Sequence, residues 1–318
     1  MKAVTCRRYG GPDVLKIDDL PQPAPGPGEI EIAVHTATVN RTDTATLRAK
    51  PFFARAMTGW LRPHHRISGM EFAGIVARVG PNCGRFALGE RVFGLSEDRF
   101  GAHAQYLIMP EAGAVAVVPD SVALDQAVIC EGAWYARSTV AQLGPGQNIL
   151  IYGASGAIGT AAVQLAKASG VHVTAVVATR HLDLARDLGA DVVLDYTVED
   201  FTALDERFDL VFDAVGHTSW FACRKLLKPG GLFCATDLGP AWSNIWLGIW
   251  YALIGSRRVS VPFPTDVSGF VSELADLMRD GRIRGVFDRR YPLEQIAEAF
   301  RYVETGQKTG IVRIDIVA

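Results

Sequence analysis

The stretch Ile149-Leu-Ile-Tyr-Gly153-Ala-Ser-Gly156-Ala-Ile-Gly159 holds the residue spacing best suited to chemistry in this chain. An apolar run of strand type enters a loop with glycines at 153, 156 and 159, and a helical pattern follows from Ala157 to about Ser169. Glycines let backbone turn tightly and come close to a pyrophosphate, and a helix start offers it unpaired N–H groups and the positive end of a dipole. The pattern therefore predicts a dinucleotide site at Gly153, Ala154, Ser155, Gly156, Ala157 and Ile158. About twenty residues on, an acidic side chain would bind a ribose 2′-hydroxyl, and a cation a 2′-phosphate. The chain reads Val176-Val-Ala-Thr179-Arg180-His181 there, with no carboxylate before Asp183. Thr179 and Arg180 are thus expected to select NADPH, with His181 assisting; the alternative is an exposed Arg180 at a helix start. Tyr196 borders an adenine pocket or packs as a partly buried tyrosine.

These groups need elements to position them. Residues 1 to about 120 read as short strands broken by Gly/Pro turns, including Glu29–His35, Gly69–Val79 and Arg91–Phe93. From about 122 to 262, strand candidates at Ile149–Tyr152, Val171–Val177, Asp191–Leu194, Leu210–Phe212, Gly231–Ala235 and Val259–Val261 alternate with helical stretches such as Leu182–Leu188 and Trp220–Leu227. Such alternation predicts an α/β fold with a doubly wound parallel sheet. Helical stretches at Val267–Asp280 and Leu293–Glu304 precede a last strand, Ile311–Val317. The expected division is a β-rich catalytic domain over 1–121, a nucleotide-binding domain over 122–262, and a segment 263–318 that returns to the first.

A length of 318 residues allows two domains, and 49% hydrophobic with 21% charged residues suits a globular protein. A net charge of −2 argues against a nucleic-acid partner. Five scattered cysteines without a Cys-x-x-Cys fit a reduced, cytoplasmic setting, and the opening residues read as a strand rather than a signal peptide. The apolar segment 241–254 carries three of the six tryptophans but is too short to span a membrane. It is expected as a buried helix over a cleft or at a subunit contact; the other reading is contact with a membrane surface or a lipophilic substrate.

The chain resembles the zinc-free, zeta-crystallin-like NADPH quinone oxidoreductases of the medium-chain dehydrogenase/reductase superfamily. The resemblance runs over nearly the whole chain, through Met1-Lys-Ala-Val, Tyr9-Gly-Gly-Pro-Asp-Val-Leu15, Ala37-Thr-Val-Asn40-Arg-Thr-Asp43, Gly69-Met-Glu-Phe-Ala-Gly74, Gly153-Ala-Ser-Gly156, Leu188-Gly-Ala-Asp191 and Phe212-Asp-Ala-Val-Gly216. It implies a GroES-like β domain with a Rossmann domain, further cofactor contacts at Val215 and Gly239, and a homodimer. Zinc-dependent relatives place a cysteine and a histidine where this chain has Asn40 and Met70. These are poor zinc ligands, and Cys130, near the third position, reads as a buried thiol, so no metal is expected.

Without zinc, the acceptor must already be electrophilic: a quinone or an α,β-unsaturated carbonyl, reduced by hydride from NADPH. Asn40 is the candidate catalytic donor to the substrate, or else a turn residue. Asp43 is a candidate orienting group, or else an ion-pair partner of Arg41 or Arg48. Glu71 reads as a structural carboxylate, His64 and His65 as solvated surface, and water as the proton source. Ala45, Ala133, Trp134 and Ile311 depart from the pattern of relatives. A pathway-dedicated enoyl reductase, and a nucleotide-binding regulator or structural protein without turnover, are the alternatives.

Overall fold

The computed structural model describes residues 1–52, 55–256, 258–262 and 265–316. The chain divides into two compact units, Met1–Cys130 with Asp266–Ala318, and Glu131–Thr265. The junctions thus lie at 130/131 and 265/266, beside the 121/122 and 262/263 read from the sequence.

The first unit opens with β1 (Lys2–Cys6) and β2 (Leu15–Asp19), an antiparallel pair. Then come β3 (Glu29–Val39), α1 (Arg41–Arg48), α2 (Arg55–Thr58), β4 (Glu71–Val79), β5 (Arg91–Leu95), β6 (Tyr106–Pro110) and β7 (Val115–Val117). β3 is the axis of the sheet, pairing antiparallel with β4 and β6. It is buried along most of its length, and it runs past His35 through Thr36-Ala-Thr-Val39, all four buried. α3 (Cys130–Val140) begins at the junction between the units.

The second unit continues with β8 (Asn148–Tyr152), α4 (Ala157–Ala168), β9 (His172–Val177), α5 (Leu182–Asp187), β10 (Val192–Asp195), β11 (Phe208–Asp213), α6 (Trp220–Cys223), β12 (Leu227–Ala235), α7 (Ser243–Leu253) and β13 (Val259–Ser260). The strand order is β10-β9-β8-β11-β12-β13, every pairing parallel. Order reverses between β8 and β11, so the carboxyl ends of these two neighbours diverge into a crevice. Phe208, Val211, Phe233 and Trp220 pack the core beneath.

Into the first unit return α8 (Val267–Arg279), β14 (Phe287–Pro292), α9 (Ile296–Glu304) and β15 (Ile311–Asp315). β15 pairs antiparallel with β3, Val312 opposite Val39. Val317, expected in that last strand, lies outside the described residues. Phe300 of α9 joins Ile30, Ile32, Phe72 and Val312 in one core.

One ionisable group is sealed in this core. His103 is fully buried, edge-on to Phe300 with ring centroids 6.0 Å apart. Its Nε2 lies 2.8 Å from the Thr38 carbonyl oxygen, which can only accept, so Nε2 carries the proton. Nδ1 then accepts from the Ser68 hydroxyl at 2.9 Å. Burial pulls the imidazole from 6.5 down to about 4. The neutral ring is thus favoured in the folded state, and the unfolded chain binds the extra proton first. Stability from this site is complete above about pH 6.5 and falls as pH drops toward about 4, by up to ~3 kcal/mol. Urea unfolding across that window should show a steeper loss in the parent than in His103→Gln; parallel curves would refute it.

Candidate functional site

In the second unit the dinucleotide loop leaves β8 at Tyr152. Gly153 has φ +78°, and a Cβ there would lie 2.6 Å from Val215 Cγ1, so the first glycine is required by conformation and by the strand-end neighbour. A Cβ on Gly159 would run into the Gly153 carbonyl and sit 2.7 Å from Ala154 Cα, so the third lets α4 press against β8. Gly156 differs. Its φ is −79°, and a Cβ would find ordinary contacts at 3.6 Å or more. Neither conformation nor protein packing demands glycine at 156. Gly156 is the N-cap of α4, and the first N–H groups of a helix have no intrahelical partner. Ser155, Gly156, Ala157 and Ile158 are all partly accessible, whereas Ala154 is buried against the sheet.

The facing wall comes from β11. Asp213, fully buried, accepts from Val215 N (3.1 Å) and Gly216 N (2.8 Å) on Oδ1 and from Thr218 N (2.8 Å) on Oδ2. These bonds fix the turn that sets Val215 over Gly153. Gly239, at φ +70°, closes against Ser243 and Asn244 at the start of α7. Asp213 was visible only as part of a motif; its role as a loop anchor follows from three convergent N–H groups.

At the end of β9, Thr179, Arg180 and His181 form a single 3-10 turn. Arg180 is exposed, and its Nε donates to His181 Nε2 at 3.3 Å, so the buried histidine steers the guanidinium. Thr179 Oγ1 lies 2.9 Å from Thr197 Oγ1, whose hydroxyl donates to Asp195 Oδ1 at 2.6 Å. Thr179 and Thr197 hold the Asp195 carboxyl below its usual range. Thr179 is thus engaged by its neighbours, and a carboxylate that sequence order had placed fifteen positions away stands beside the turn. Parallel pairing of Asp195 with Val177 brings it there. Tyr196, 46% exposed, has its ring 5.8 Å from that of Tyr152 at the rim of an open recess floored by Phe201.

In the first unit the substrate-side candidates form a buried knot. β3 and β4 pair with Ala37 opposite Phe72, which brings Thr38 beside Glu71. Thr38 Oγ1 donates to Glu71 Oε2 at 2.8 Å. Asn40 Nδ2 donates to Thr38 Oγ1 at 2.9 Å and to Glu71 Oε2 at 3.3 Å. The other carboxylate oxygen, Oε1, accepts from the Cys130 N–H at the start of α3. Asn40 also caps α1 in a capping box with Asp43, whose Oδ2 accepts the Asn40 N–H at 2.8 Å. Arg48, the other partner considered for Asp43, pairs instead with Glu304 at 2.7 Å. Asp43 also lines a small recess with Leu47, Ser68, Phe100 and Phe300. His64 and His65 are exposed.

The chain is similar to known proteins in sequence and fold. A family model described as a zinc-binding dehydrogenase matches residues 188–312, and an alcohol dehydrogenase GroES-like domain matches 26–120. A trans-enoyl reductase of Aspergillus terreus is 32% identical over 78% of this chain and 77% of its own. A chloroplastic quinone-oxidoreductase homolog of Spinacia oleracea is 30% identical over 99% and 98%. A chloroplastic NADPH-dependent alkenal/one oxidoreductase of Arabidopsis thaliana is 29% identical over 98% and 78%. Among solved structures, the quinone oxidoreductase of Coxiella burnetii superposes with a TM-score of 0.87 at 25% identity, over 100% of this chain and 99% of that one.

The donors present do not fit the zinc that the first description names. Among the described residues no three of His, Cys, Asp and Glu are grouped to hold a metal. Asn40 and Met70 offer an amide and a buried thioether. Burial first, and the nearby Glu71 carboxylate second, push the Cys130 thiol well above its ordinary value, opposite to the thiolate a metal needs.

Two outcomes test this geometry. Gly159→Ala should weaken dinucleotide binding by ~10-fold or more in fluorescence titration, because backbone blocks the added methyl; unchanged affinity refutes the close packing. Glu71→Gln replaces one acceptor with a donor and orphans either the Cys130 N–H or the Thr38–Asn40 pair. Chemical denaturation should show a loss of ~1–3 kcal/mol, and a neutral effect would count against the knot.

Proposed function

The chain belongs to the medium-chain dehydrogenase/reductase superfamily, in its zinc-independent quinone oxidoreductase branch, and within it we propose an NADPH-dependent reductase of quinones or α,β-unsaturated carbonyls. It is an oxidoreductase of the kind that works with a nicotinamide dinucleotide. The observation that carries the choice of NADPH is Arg180, exposed on the turn after β9 and steered by His181. Its fork suits a 2′-phosphate. The nearby carboxylate, Asp195, has Oδ1 engaged by the Thr197 N–H and hydroxyl, which reduces its pull on a ribose hydroxyl.

When bound, the nicotinamide supplies hydride. The protein's own part is placement. Ala157 and Ile158 would offer the unpaired N–H groups of the first turn of α4 to the pyrophosphate, while the Gly156 N–H donates to the Gly153 carbonyl at 3.1 Å and leaves Gly156 to allow close approach. Gly153, with Val215 against it, keeps the loop narrow, Ser155 and Ala154 complete it, and Gly239 shapes the turn beyond β12. Tyr196 flanks the adenine side. Asn40 can donate to an acceptor oxygen by releasing its 3.3 Å contact with Glu71, the longer of its two bonds. Asp43 keeps the start of α1 in position while it does so. With no metal-binding donor set among the described residues to polarise a plain ketone, the substrate is a small electrophile whose conjugation spreads the developing charge, and water returns the proton. Five free cysteines suit a reducing compartment such as the cytoplasm.

A second reading, a dedicated enoyl reductase, is favoured by the 32% identical trans-enoyl reductase. Steady-state assays separate the two. NADPH oxidation driven by simple quinones and enones supports the first; a strong kcat/KM preference for enoyl thioesters supports the second; oxidation with neither favours a nucleotide-binding role without turnover. Arg180→Ala should raise the KM for NADPH by ~10–100-fold and leave that for NADH unchanged. Equal use of both cofactors by the parent would overturn the NADPH assignment.

A further inference from the structure

The segment expected as a buried helix, α7, has only one face buried. Asn244 is enclosed, Leu247 and Tyr251 pack on the core of the second unit, and Tyr251 lies edge-on to Trp220 with centroids 5.5 Å apart. Trp246, Ile249, Trp250 and Leu253 are exposed. Hydropathy marks the whole segment as core, yet one face suffices to hold the helix. Residues 238–256 carry no charge that would select a partner for the other. A second exposed apolar surface, in the first unit, does carry such a charge.

Residues 44–70 contain Arg48, Lys50, Arg55, Arg62 and Arg66, with His64 and His65, and no Asp or Glu, in a chain whose net charge is −2. Arg48 pairs with Glu304; among the described residues Lys50, Arg55, Arg62 and Arg66 have no carboxylate partner. Arg55 stacks instead on Tyr9 and Phe52, 4.9 and 5.0 Å from their ring centroids, and Phe52 meets Trp60 edge-on at 5.7 Å. The Tyr9 hydroxyl donates to the Gly59 carbonyl at 2.7 Å, and the His64 N–H donates to the Thr58 carbonyl at 2.8 Å. With Gly59 at φ +123°, these bonds close a turn that has Trp60 and Leu61 at its tip, 61 and 85% exposed. Arg62, His64, His65 and Arg66 follow, all exposed. The Arg66 carbonyl accepts the Cys6 N–H at 2.7 Å, which roots the turn on β1.

A tip that projects this far is the opposite of a ligand pocket, which encloses its occupant with concave walls. Tryptophan and leucine beside unpaired cations match a surface that is apolar within and anionic at its face. A nucleic acid would engage the cations, but a leucine at the tip gives nothing to a phosphate backbone. Each Lys or Arg held near an anionic bilayer adds ~1 kcal/mol, about fivefold in partitioning. No helix among the described residues is long and apolar enough to cross a membrane, so the contact is peripheral.

We propose that the Trp60–Leu61 turn, with the unpaired cations Lys50, Arg62 and Arg66, docks the protein reversibly on an anionic lipid surface. This assignment does not depend on the reaction proposed above. The full chain should sediment with phosphatidylglycerol vesicles ~10-fold or more above phosphatidylcholine vesicles. Most of it should be released at about 1 M salt, where charges act over only ~3 Å. Trp60→Ser with Leu61→Ser, and separately Arg62→Gln with Arg66→Gln, should each lower partitioning by ~10-fold or more, with unchanged circular dichroism and unchanged dinucleotide binding. Trp246→Ser with Trp250→Ser on α7 should sediment as the parent does. The proposal is overturned by a parent that binds neither vesicle or both equally, by folded turn variants that sediment like the parent, or by loss of binding in the α7 pair alone.

Discussion

Ile151 of β8 lies in register with Ala175 of β9 on one side and Phe212 of β11 on the other, and the dinucleotide face hangs on that double parallel pairing. Parallel strands end on the same side. Tyr152, Val177, Asp195 and Asp213 therefore deliver their following loops to one edge of the sheet. Because the strand order reverses between β8 and β11, the loop after one and the loop after the other are pushed apart, leaving space a ligand can enter. Gly153 beneath Val215, Gly156 with only ordinary contacts around a would-be Cβ and Gly159 against the Gly153–Ala154 backbone are each a local consequence of this arrangement.

The first unit has a constraint of a different kind. Glu71 is a carboxylate that is almost fully buried, and such a group persists only where donors surround it. Thr38, Asn40 and the Cys130 N–H provide them, joining β3, α1, β4 and the start of α3 through one side chain. Its two oxygens serve hydroxyl, amide and backbone donors, so the carboxylate acts as a structural tie.

The glycine spacing at 153–159, the strand–helix alternation and the cation after the second strand of the nucleotide-type sheet were legible in the residues because each is local. A glycine spacing, an apolar period and a cation at a strand end need no distant partner to be recognised. α1 was not legible, since Arg41–Arg48 is short and polar and owes its start to the Asn40–Asp43 capping box rather than to an apolar stripe. β14 was missed as well, because Phe287–Pro292 is rich in charge and is a strand by virtue of pairing with β15. Asn40 carried two open readings, and its bonds to Thr38 and Glu71 depend on how β3 and β4 align.

By itself the sequence determined the alternation of strands and helices over the second unit, the place of the glycine loop between β8 and α4, and the poor metal-ligand chemistry of Asn40 and Met70, because residue type and short-range spacing suffice for each. Only tertiary structure decided that Asp195 and Thr197 stand beside Thr179, that Asp213 anchors the loop bearing Val215, that Glu71 ties Asn40 to Cys130, and that the tryptophans of α7 face outward. Each of these depends on strand register or on which helix face meets the sheet, and both are settled by packing between segments far apart in the chain.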